Sequence, residues 1–207
     1  MKSLRLIGIG LLMMMPFLAI KAQKALTPQD LEAWKQISAR TISNDGQWAA
    51  VVFTPWRGDS EVQLMALDGK NVQMYPIASE VRFSSSSAFA LIKRVPAIAL
   101  TDSLKLKKVK SDKMPMDELL IRNLKTGAEW KIDSLKGYKL AEEGDWVAYQ
   151  RTRKKSILEV VSLDGTNKYE LASALAYGFA KEKPVLYFVT KDTIGGMKPG
   201  MYIWKPE

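Results

Sequence analysis

Cysteine and histidine are both missing from the 207 residues of this chain. Without cysteine the chain has no disulfide framework, thiolate metal ligand or thiol nucleophile. Without histidine it lacks the commonest general base, the commonest neutral metal ligand and the middle member of a serine triad. We therefore predict no catalytic, cofactor-binding or metal-binding residue in the chain, and no cofactor.

Long apolar runs are also scarce, and the one that exists lies at residues 6–20, after Lys2 and Arg5. It is shorter than the roughly 20 residues that a membrane span needs. A basic start, an apolar run and the small residue Ala22 predict a secretory signal peptide over residues 1–22, with an uncleaved anchor as the alternative. We expect an exported protein, periplasmic or extracellular, that meets the membrane only during export.

The formal net charge of +9 raises the question of a polyanionic partner. The basic residues form two runs in predicted loops, without the interleaved aromatic residues that single-stranded nucleic-acid binders use. We interpret both runs as solvated loops and expect no nucleic-acid partner. The runs are Lys105, Lys107, Lys108, Lys110 and Lys113, and Arg151, Arg153, Lys154 and Lys155.

One local pattern occurs four times along the chain. An apolar residue is followed by a polar turn and an apolar strand, as in Ile42, Asp45-Gly46 and Trp48. The pattern begins at residues 42, 83, 140 and 179, and its last copy has Lys183-Pro184 instead of a glycine turn. Asp-Gly pairs favour tight reversals, and a period of roughly 40 to 57 residues is typical of repeat architectures.

Further turn signals around residues 68–70, 125–127 and 164–166 give the first three repeats a second hairpin. Four short strands per repeat favour the blade of a β-propeller, with a β-sandwich as the all-β alternative. We predict an all-β chain of about three and a half four-stranded blades that form an incomplete propeller; an independently closed four-bladed propeller is a further possibility. The predicted segments are a signal peptide at 1–22, a lead-in segment with a short helix at 23–40, and a partial propeller at 41–207, with blades at about 41–78, 79–132, 133–173 and 174–207.

The lead-in segment carries a helix start, with Thr27 as N-cap, Pro28 at the first helical position and Asp30 three places after the cap. Leu31, Trp34 and Ile37 then fall on one helical face, so we expect the helix to end near Lys35 or Gln36. The second repeat is longer than its neighbours, and we interpret the excess at residues 95–117 as a solvated insertion, with contact to a partner as the alternative. We expect Trp48, Phe89 and Trp146 to pack between blades.

Several motifs, taken in their order along the chain, resemble the amino-terminal propeller of exported bacterial members of the prolyl oligopeptidase family of serine peptidases. The similarity covers essentially the whole chain after the predicted leader. It rests on Leu-Thr-Pro-x-Asp-Leu at residues 26–31, Trp34 and Ile37, Ile42-Ser43-x-Asp45-Gly46-x-Trp48, the run from Lys113 to Leu119, Leu124-Lys125-Thr126-Gly127, and Tyr138 to Tyr149.

The resemblance implies a propeller that gates or orients peptide substrate for a carboxy-terminal α/β-hydrolase domain with a Ser, Asp, His triad. This chain departs from that pattern because its nearest approach to a Gly-x-Ser-x-Gly elbow, at Gly58 to Val62, lacks the second glycine. No catalytic residue of the family can be transferred to it. We therefore expect a non-catalytic propeller fragment whose partners are the missing hydrolase domain of the same protein and, through that parent enzyme, a peptide. The alternative is a stand-alone exported propeller that binds protein or glycan.

Two remaining groups carry weak chemical signals. The segment from Gly195 to Gly200 contains three glycines and Lys198, beside Asp192 and Thr193, but we interpret it as a hairpin loop since it lacks the phosphate-loop spacing. Glu142, Glu143 and Asp145 share one turn without the ligand spacing of a calcium loop. We expect that turn to be solvated.

Overall fold

The computed structural model describes residues 27, 30, 34–152, 157–191 and 197–206. The chain divides into two compact units, residues 1–31 and 32–207. In the first unit Asp30 is helical, its backbone N–H donates to Thr27 Oγ1 at 3.2 Å, and Asp30 Oδ2 accepts from the Thr27 N–H at 2.8 Å. This reciprocal pairing satisfies donors at a helix start and confirms Thr27 as the N-cap. Pro28 and Leu31 lie outside the described residues.

The predicted helix end near Lys35 or Gln36 is wrong, because strand β1 (Lys35–Ile42) already begins there. Ile37 therefore lies on a strand and pairs with Phe53, and the first blade begins before residue 41. A helical spacing of only three apolar residues is a weak signal, and pairing with the neighbouring strand overrides it.

In the second unit consecutive antiparallel strands form four blades, numbered in chain order. Blade 1 comprises β1, β2 (Trp48–Pro55), β3 (Glu61–Ala66) and β4 (Val72–Pro76). Blade 2 comprises β5 (Ala78–Phe83), β6 (Phe89–Arg94), β7 (Asp117–Asn123) and the first half of β8 (Glu129–Leu140). Blade 3 comprises the second half of β8, β9 (Trp146–Arg151), β10 (Ile157–Ser162) and β11 (Lys168–Ser173). Blade 4 comprises β12 (Ala176–Phe179), β13 (Leu186–Thr190) and β14 (Gly200–Trp204).

Strand β8 runs from blade 2 into blade 3, so that the seven strands from β5 to β11 form one sheet. Its first half pairs mainly with β7 and its second half with β9. Ser134, between the two halves, has φ 54°, and Ile77 has the same φ at the junction of blades 1 and 2. Because residues other than glycine rarely adopt positive φ, these two positions mark sharp bends from one blade into the next.

The four sequence repeats all form the predicted first hairpin, including the degenerate fourth copy. Each is closed by the same backbone hydrogen bond, from Ser43 N to Trp48 O, Ser84 N to Phe89 O, Ala141 N to Trp146 O and Ala180 N to Val185 O, at 2.8 to 2.9 Å. The fold is therefore all-β and built from propeller blades. Among the described residues no strand of blade 4 pairs with blade 1, so a closed four-bladed propeller is not formed.

The hydrophobic core consists of three clusters, each shared by two consecutive blades. Ala50, Val62 and Ile92 belong to the cluster between blades 1 and 2. Leu91, Ile121, Val147 and Tyr149 belong to the cluster between blades 2 and 3, and Ala148, Val160, Leu186 and Phe188 to that between blades 3 and 4. Phe89 lies inside one cluster and Trp48 and Trp146 pack against the others, which confirms their predicted role between blades.

The insertion of blade 2 is partly helical, with α1 (Ile98–Leu106) and a short 3₁₀ helix (Ser111–Lys113). The prediction of a loop is therefore wrong for Lys105 and Lys113. Asp59 Oδ1, in the β2–β3 connection of blade 1, accepts a hydrogen bond from the Ile98 N–H at 2.8 Å. A neighbouring blade thus supplies the cap for α1, a long-range contact that local sequence does not reveal.

Candidate functional site

The first strands of the blades converge, since β1 contacts β5 and β8 contacts β12. Where these inner strands end, an open cavity of about 420 Å³ lies between blades 1, 2 and 3. Its walls come from corresponding positions of the three repeats. We take this axial cavity as the candidate functional site.

The apolar wall of the cavity is formed by Ile42, Phe83 and Leu140, the residues that open the first three repeats. Phe83 and Leu140 are half-buried and also pack against the cluster shared with the preceding blade. Ile42 precedes the first blade interface and is 63% exposed. The opening apolar position of the repeat thus lines the axis and borders the core.

Polar groups enter the same cavity from Asn44, Arg82 and Glu142. Arg82 Nε donates to Glu80 Oε1 at 2.7 Å, and this bond raises the pKa of Arg82. The guanidinium therefore stays charged and keeps further N–H donors for a ligand. An amide, a cation and a carboxylate together can hydrogen-bond both the N–H and the C=O groups of an extended peptide.

Two tyrosines at the same repeat position tie neighbouring inner strands together. The Tyr138 hydroxyl donates to Glu80 Oε1 at 3.1 Å, and the Tyr177 hydroxyl donates to the Gly137 carbonyl at 3.0 Å. Burial, reinforced by the Glu80 carboxylate, raises the pKa of Tyr138, and burial raises the pKa of Tyr177 to about 12. Both phenols are neutral at physiological pH, so these contacts persist as hydrogen bonds.

The turn at the start of the first repeat is organised by side-chain oxygens. Asp45 Oδ1 accepts from Ser43 Oγ at 2.6 Å and from the Gln47 N–H at 3.0 Å, and these bonds lower the pKa of Asp45. In the second repeat Ser86 takes the place of Asp45, and its Oγ accepts from the Ala88 N–H at 3.1 Å. Two different side chains therefore fix the same turn.

These turns also contact one another across blades. The Asp45 N–H donates to Ser87 Oγ at 3.1 Å, which joins blades 1 and 2. Ser86 Oγ donates to Asp145 Oδ1 at 2.7 Å, which joins blades 2 and 3. The rim of the cavity is thus held by a chain of hydrogen bonds through three consecutive blades.

The three carboxylates of the third turn lie in different surroundings. Glu142 lines the cavity, Asp145 accepts the Ser86 hydroxyl and Glu143 is exposed. In the described part of the chain no group of three or more acidic side chains is arranged to hold a metal ion. Asp192, Thr193, Gly195 and Gly196 lie outside the described residues.

Ser60 lies in the segment that comes nearest to a nucleophile elbow, and its contacts hold strands together. Its Oγ lies 3.2 Å from Thr54 Oγ1, and its carbonyl accepts the Ala78 N–H at 3.0 Å. The preceding Gly58 has φ 123°, a conformation that favours glycine, and Asp59 caps α1. This segment joins two strands and holds the neighbouring blade.

The interpretation of Arg151 as part of a solvated loop is wrong. It is the last residue of β9, and its guanidinium pairs with Asp133 at 2.6 Å and with Glu159 at 3.1 Å. Arg153, Lys154 and Lys155 lie outside the described residues. Arg151 therefore belongs to a contact between blades 2 and 3.

No motif in the sequence marks the residues of the cavity as a site. Arg82 and Tyr138 acquire their roles from partners on another strand or blade, which no local pattern specifies. One signal was available: the residue that opens the repeat stays apolar in all four copies although it precedes a polar turn. A conserved spacing of this kind indicates a shared position at the axis.

Comparisons with known proteins support the fold. No known family profile matches the chain, and no curated protein does. The β-propeller domain of the trilobed protease from Pyrococcus furiosus is similar over 84% of this chain and 55% of its own length, with a TM-score of 0.50 and 12% identity. A structure from a study of two prolyl endopeptidases is similar over 83% of this chain and 27% of its own length, with a TM-score of 0.51 and 13% identity.

The fold and these similarities define a β-propeller domain whose structural neighbours include the propellers of peptidases. The chain spans about half of the first neighbour and about a quarter of the second. No helix among the described residues is long and apolar enough to cross a membrane.

Proposed function

We propose that this chain is the propeller portion of an exported serine peptidase of the prolyl oligopeptidase family, in which it gates or orients peptides for an α/β-hydrolase domain of the parent protein. The observation that carries the proposal is the axial cavity, whose walls combine apolar side chains with Asn44, Arg82 and Glu142. Support comes also from the order of the sequence motifs and from neighbours that are peptidase propellers.

The cavity suits an extended peptide better than a compact ligand. Peptides present backbone donors and acceptors at regular intervals, and the cavity offers a cation, a carboxylate and an amide on different blades. The Tyr138 hydrogen bond links β8 to β5, so two of the strands that line the cavity are held in place before a ligand binds. The chain would supply access and orientation, while the nucleophile and base would belong to the hydrolase domain.

The first test is the genomic sequence downstream of residue 207. We expect several hundred further codons with Gly-x-Ser-x-Gly and a later histidine.

In the parent enzyme, Arg82→Ala should raise KM for oligopeptides several-fold and leave hydrolysis of a small chromogenic ester unchanged. Lys125→Ala, in the exposed β7–β8 turn, is the matched control. Equal effects of the two variants on oligopeptides would contradict the role of the cavity.

A stand-alone exported propeller that binds protein or glycan is the second candidate, since a polar cavity can hold a ligand without any catalytic partner. A stop codon directly after residue 207, within a complete transcription unit, would favour it. Binding of peptide or glycan to the purified chain, abolished by Arg82→Ala, would then identify the axial cavity as the binding site.

A further inference from the structure

Two connections between strands lie side by side at one end of the blades. Consecutive antiparallel strands turn alternately at opposite ends of a blade, so the β2–β3 connection and the β6–β7 insertion both lie at the end opposite the rim of the axial cavity. Asp59 of the first connection caps α1 of the second at 2.8 Å. We call the surface formed by residues 56–59 and 97–114 the lower surface.

The lower surface exposes large apolar side chains. Among the described residues, Trp56 at 87% and Leu106 at 85% are the two most exposed large apolar side chains. Ile98 and Leu100 are 42% and 48% exposed, and no residue of α1 is buried. Since α1 buries nothing, its apolar side chains are available for contact with something outside the chain.

Trp56 lies on the side of blade 1 that is turned toward blade 2. Its N–H donates to Trp34 O at 3.4 Å, so the pairing of β1 with β2 extends one residue beyond Pro55. Because side chains alternate along a strand, Trp56 points to the same side as Val52, which lies in the cluster shared with blade 2. The insertion belongs to blade 2, which packs against a neighbour on each side. The lower surface is therefore distinct from the open sides of blades 1 and 4.

The lower surface is also strongly basic. The stretch 97–114 contains two acidic residues, Asp102 and Asp112, and five exposed lysines: Lys105, Lys107, Lys108, Lys110 and Lys113. Lys105 Nζ lies 3.7 Å from Asp102 Oδ1, and in the part of the chain that the structure describes the other four lysines form no ion pair. Their positive charge is therefore available to an anionic partner.

The opposite end of the blades has the opposite charge. The first turns of blades 1 to 3 contain no basic residue and four acidic ones: Asp45, Glu142, Glu143 and Asp145. A negatively charged surface would therefore attract the lower surface and repel the rim of the axial cavity. Such an orientation leaves the cavity open to solution.

We propose that the lower surface docks on an anionic lipid bilayer, with Trp56 and Leu106 among the headgroups and the lysines beside the lipid phosphates. Protein–protein interfaces are depleted in lysine and enriched in arginine, whereas the stretch 97–114 has five lysines and no arginine. Lysine acts as a point charge without a fixed partner geometry, which suits mobile headgroups. Exposed tryptophan beside basic side chains is typical of a membrane interface.

The proposal concerns location and does not rest on the peptidase function. It goes beyond the expectation from the sequence, in which the protein meets the membrane only during export. Peripheral binding combines attraction to anionic lipids with burial of apolar side chains, so both kinds of residue contribute. The electrostatic part is screened by salt.

The test is co-sedimentation of the full-length protein with vesicles of phosphatidylcholine alone or of phosphatidylcholine mixed with phosphatidylglycerol. We expect binding to the anionic vesicles that weakens as the salt concentration rises, and little binding to the neutral ones. Wild type and variants carry the same amino terminus, so the apolar run at residues 6–20 contributes equally to each.

The double variant Lys107→Glu/Lys108→Glu should weaken binding to the anionic vesicles by at least about tenfold, because each lysine near such a surface contributes to binding. Lys70→Glu/Lys125→Glu is the matched control, since it changes the net charge equally in exposed turns at the opposite end. It should weaken binding far less.

The apolar contribution has its own pair of variants. Leu106→Ser should weaken binding several-fold, because less apolar surface then enters the headgroup region. Leu67→Ser, in an exposed turn at the opposite end, should leave binding unchanged. Circular dichroism spectra equal to that of the wild type would show that the variants fold, as expected for substitutions at exposed positions.

Three results would overturn the proposal. The first is equal binding of the wild type to neutral and anionic vesicles, or to neither. The second is an equal loss of binding in the two lysine pairs, which would show that net charge acts without a docking surface. The third is retention of the wild type on immobilised polyglutamate but not on anionic vesicles, because that pattern indicates an acidic polypeptide as the occupant.

Discussion

The two faces of blade 3 carry different chemistry. On the face turned toward blade 2 the buried Glu159 accepts the Tyr149 hydroxyl at 2.8 Å and pairs with Lys168 at 2.7 Å and Arg151 at 3.1 Å, all within the blade. On the face turned toward blade 4, Trp146 and Trp204 of that blade meet with ring centroids 5.4 Å apart, and Phe188 is buried beside them. The charged cluster is therefore internal to blade 3 and reaches blade 2 through the Arg151–Asp133 ion pair, whereas aromatic rings join blade 3 to blade 4.

The difference matters because the charged cluster contains an ionised carboxylate and the aromatic contact does not. Burial opposes ionisation of Glu159, but hydrogen bonds from Lys168 and Tyr149 and the charge of Arg151 lower its pKa overall. A carboxyl with a lowered pKa in the folded state contributes stability that is complete above its ordinary pKa and is lost as the pH falls through the folded value. The aromatic contact has no such dependence.

Phe188→Ala should have the largest effect. Its side chain is 2% exposed, and emptying such a site costs about 4 kcal/mol in the free energy of unfolding. Urea denaturation at pH 7 and at pH 4 should give the same loss. Leu67→Ala, half exposed in the β3–β4 turn, is the control and should change stability by less than about 0.5 kcal/mol. A loss in Phe188→Ala that depends strongly on pH would contradict the distinction between the charged cluster and the aromatic contact.

Glu159→Gln should cost about 3 kcal/mol at pH 7, because it leaves the charges of Arg151 and Lys168 without their buried partner. The loss should shrink as the pH falls below the ordinary carboxyl value of 4.5 and through the lower folded pKa. Denaturant titrations of both proteins between pH 7 and pH 3 measure this. Glu170→Gln, on the exposed neighbouring strand, should have little effect. A constant difference across that range would show that Glu159 acts through packing alone.

Ser134→Gly should have the smallest effect and the opposite sign. Ser134 has φ 54° at the junction of blades 2 and 3, and glycine adopts that conformation without strain. We expect a gain of about 0.5 kcal/mol, read from thermal unfolding, after subtraction of the extra entropy of the unfolded chain. Ser173→Gly, in β11 before blade 4, should instead lose about 0.5 to 1 kcal/mol. Equal signs at the two positions would mean that the junctions do not differ in strain.

Much of the fold followed from local chemistry in the sequence. Asp45-Gly46 and Asp68-Gly69 mark turns because glycine supplies the positive φ that both turns adopt, and the strands between such turns were found where expected. The fourth hairpin forms even though Lys183-Pro184 replaces the glycine, since the closing bond from Ala180 to Val185 needs only the correct loop length.

What could not be predicted depends on contacts between distant residues. The helical spacing of Trp34 and Ile37 was overridden by pairing with β2, and α1 is capped by Asp59 from another blade. The candidate site leaves no local signal for the same reason, because Arg82 and Glu142 approach the cavity from different blades. Spacing along the chain indicates a repeat, but it does not show which repeated positions point toward the axis.

The continuous strand β8 affects how the chain unfolds. Since its two halves belong to different blades, neither blade 2 nor blade 3 can lose its edge without pulling on the backbone of the other. The seven strands from β5 to β11 should behave as one cooperative unit, to which blades 1 and 4 attach as separable ends. Under force, the sheet from β5 to β11 should therefore yield in one step, and blades 1 and 4 should each yield separately.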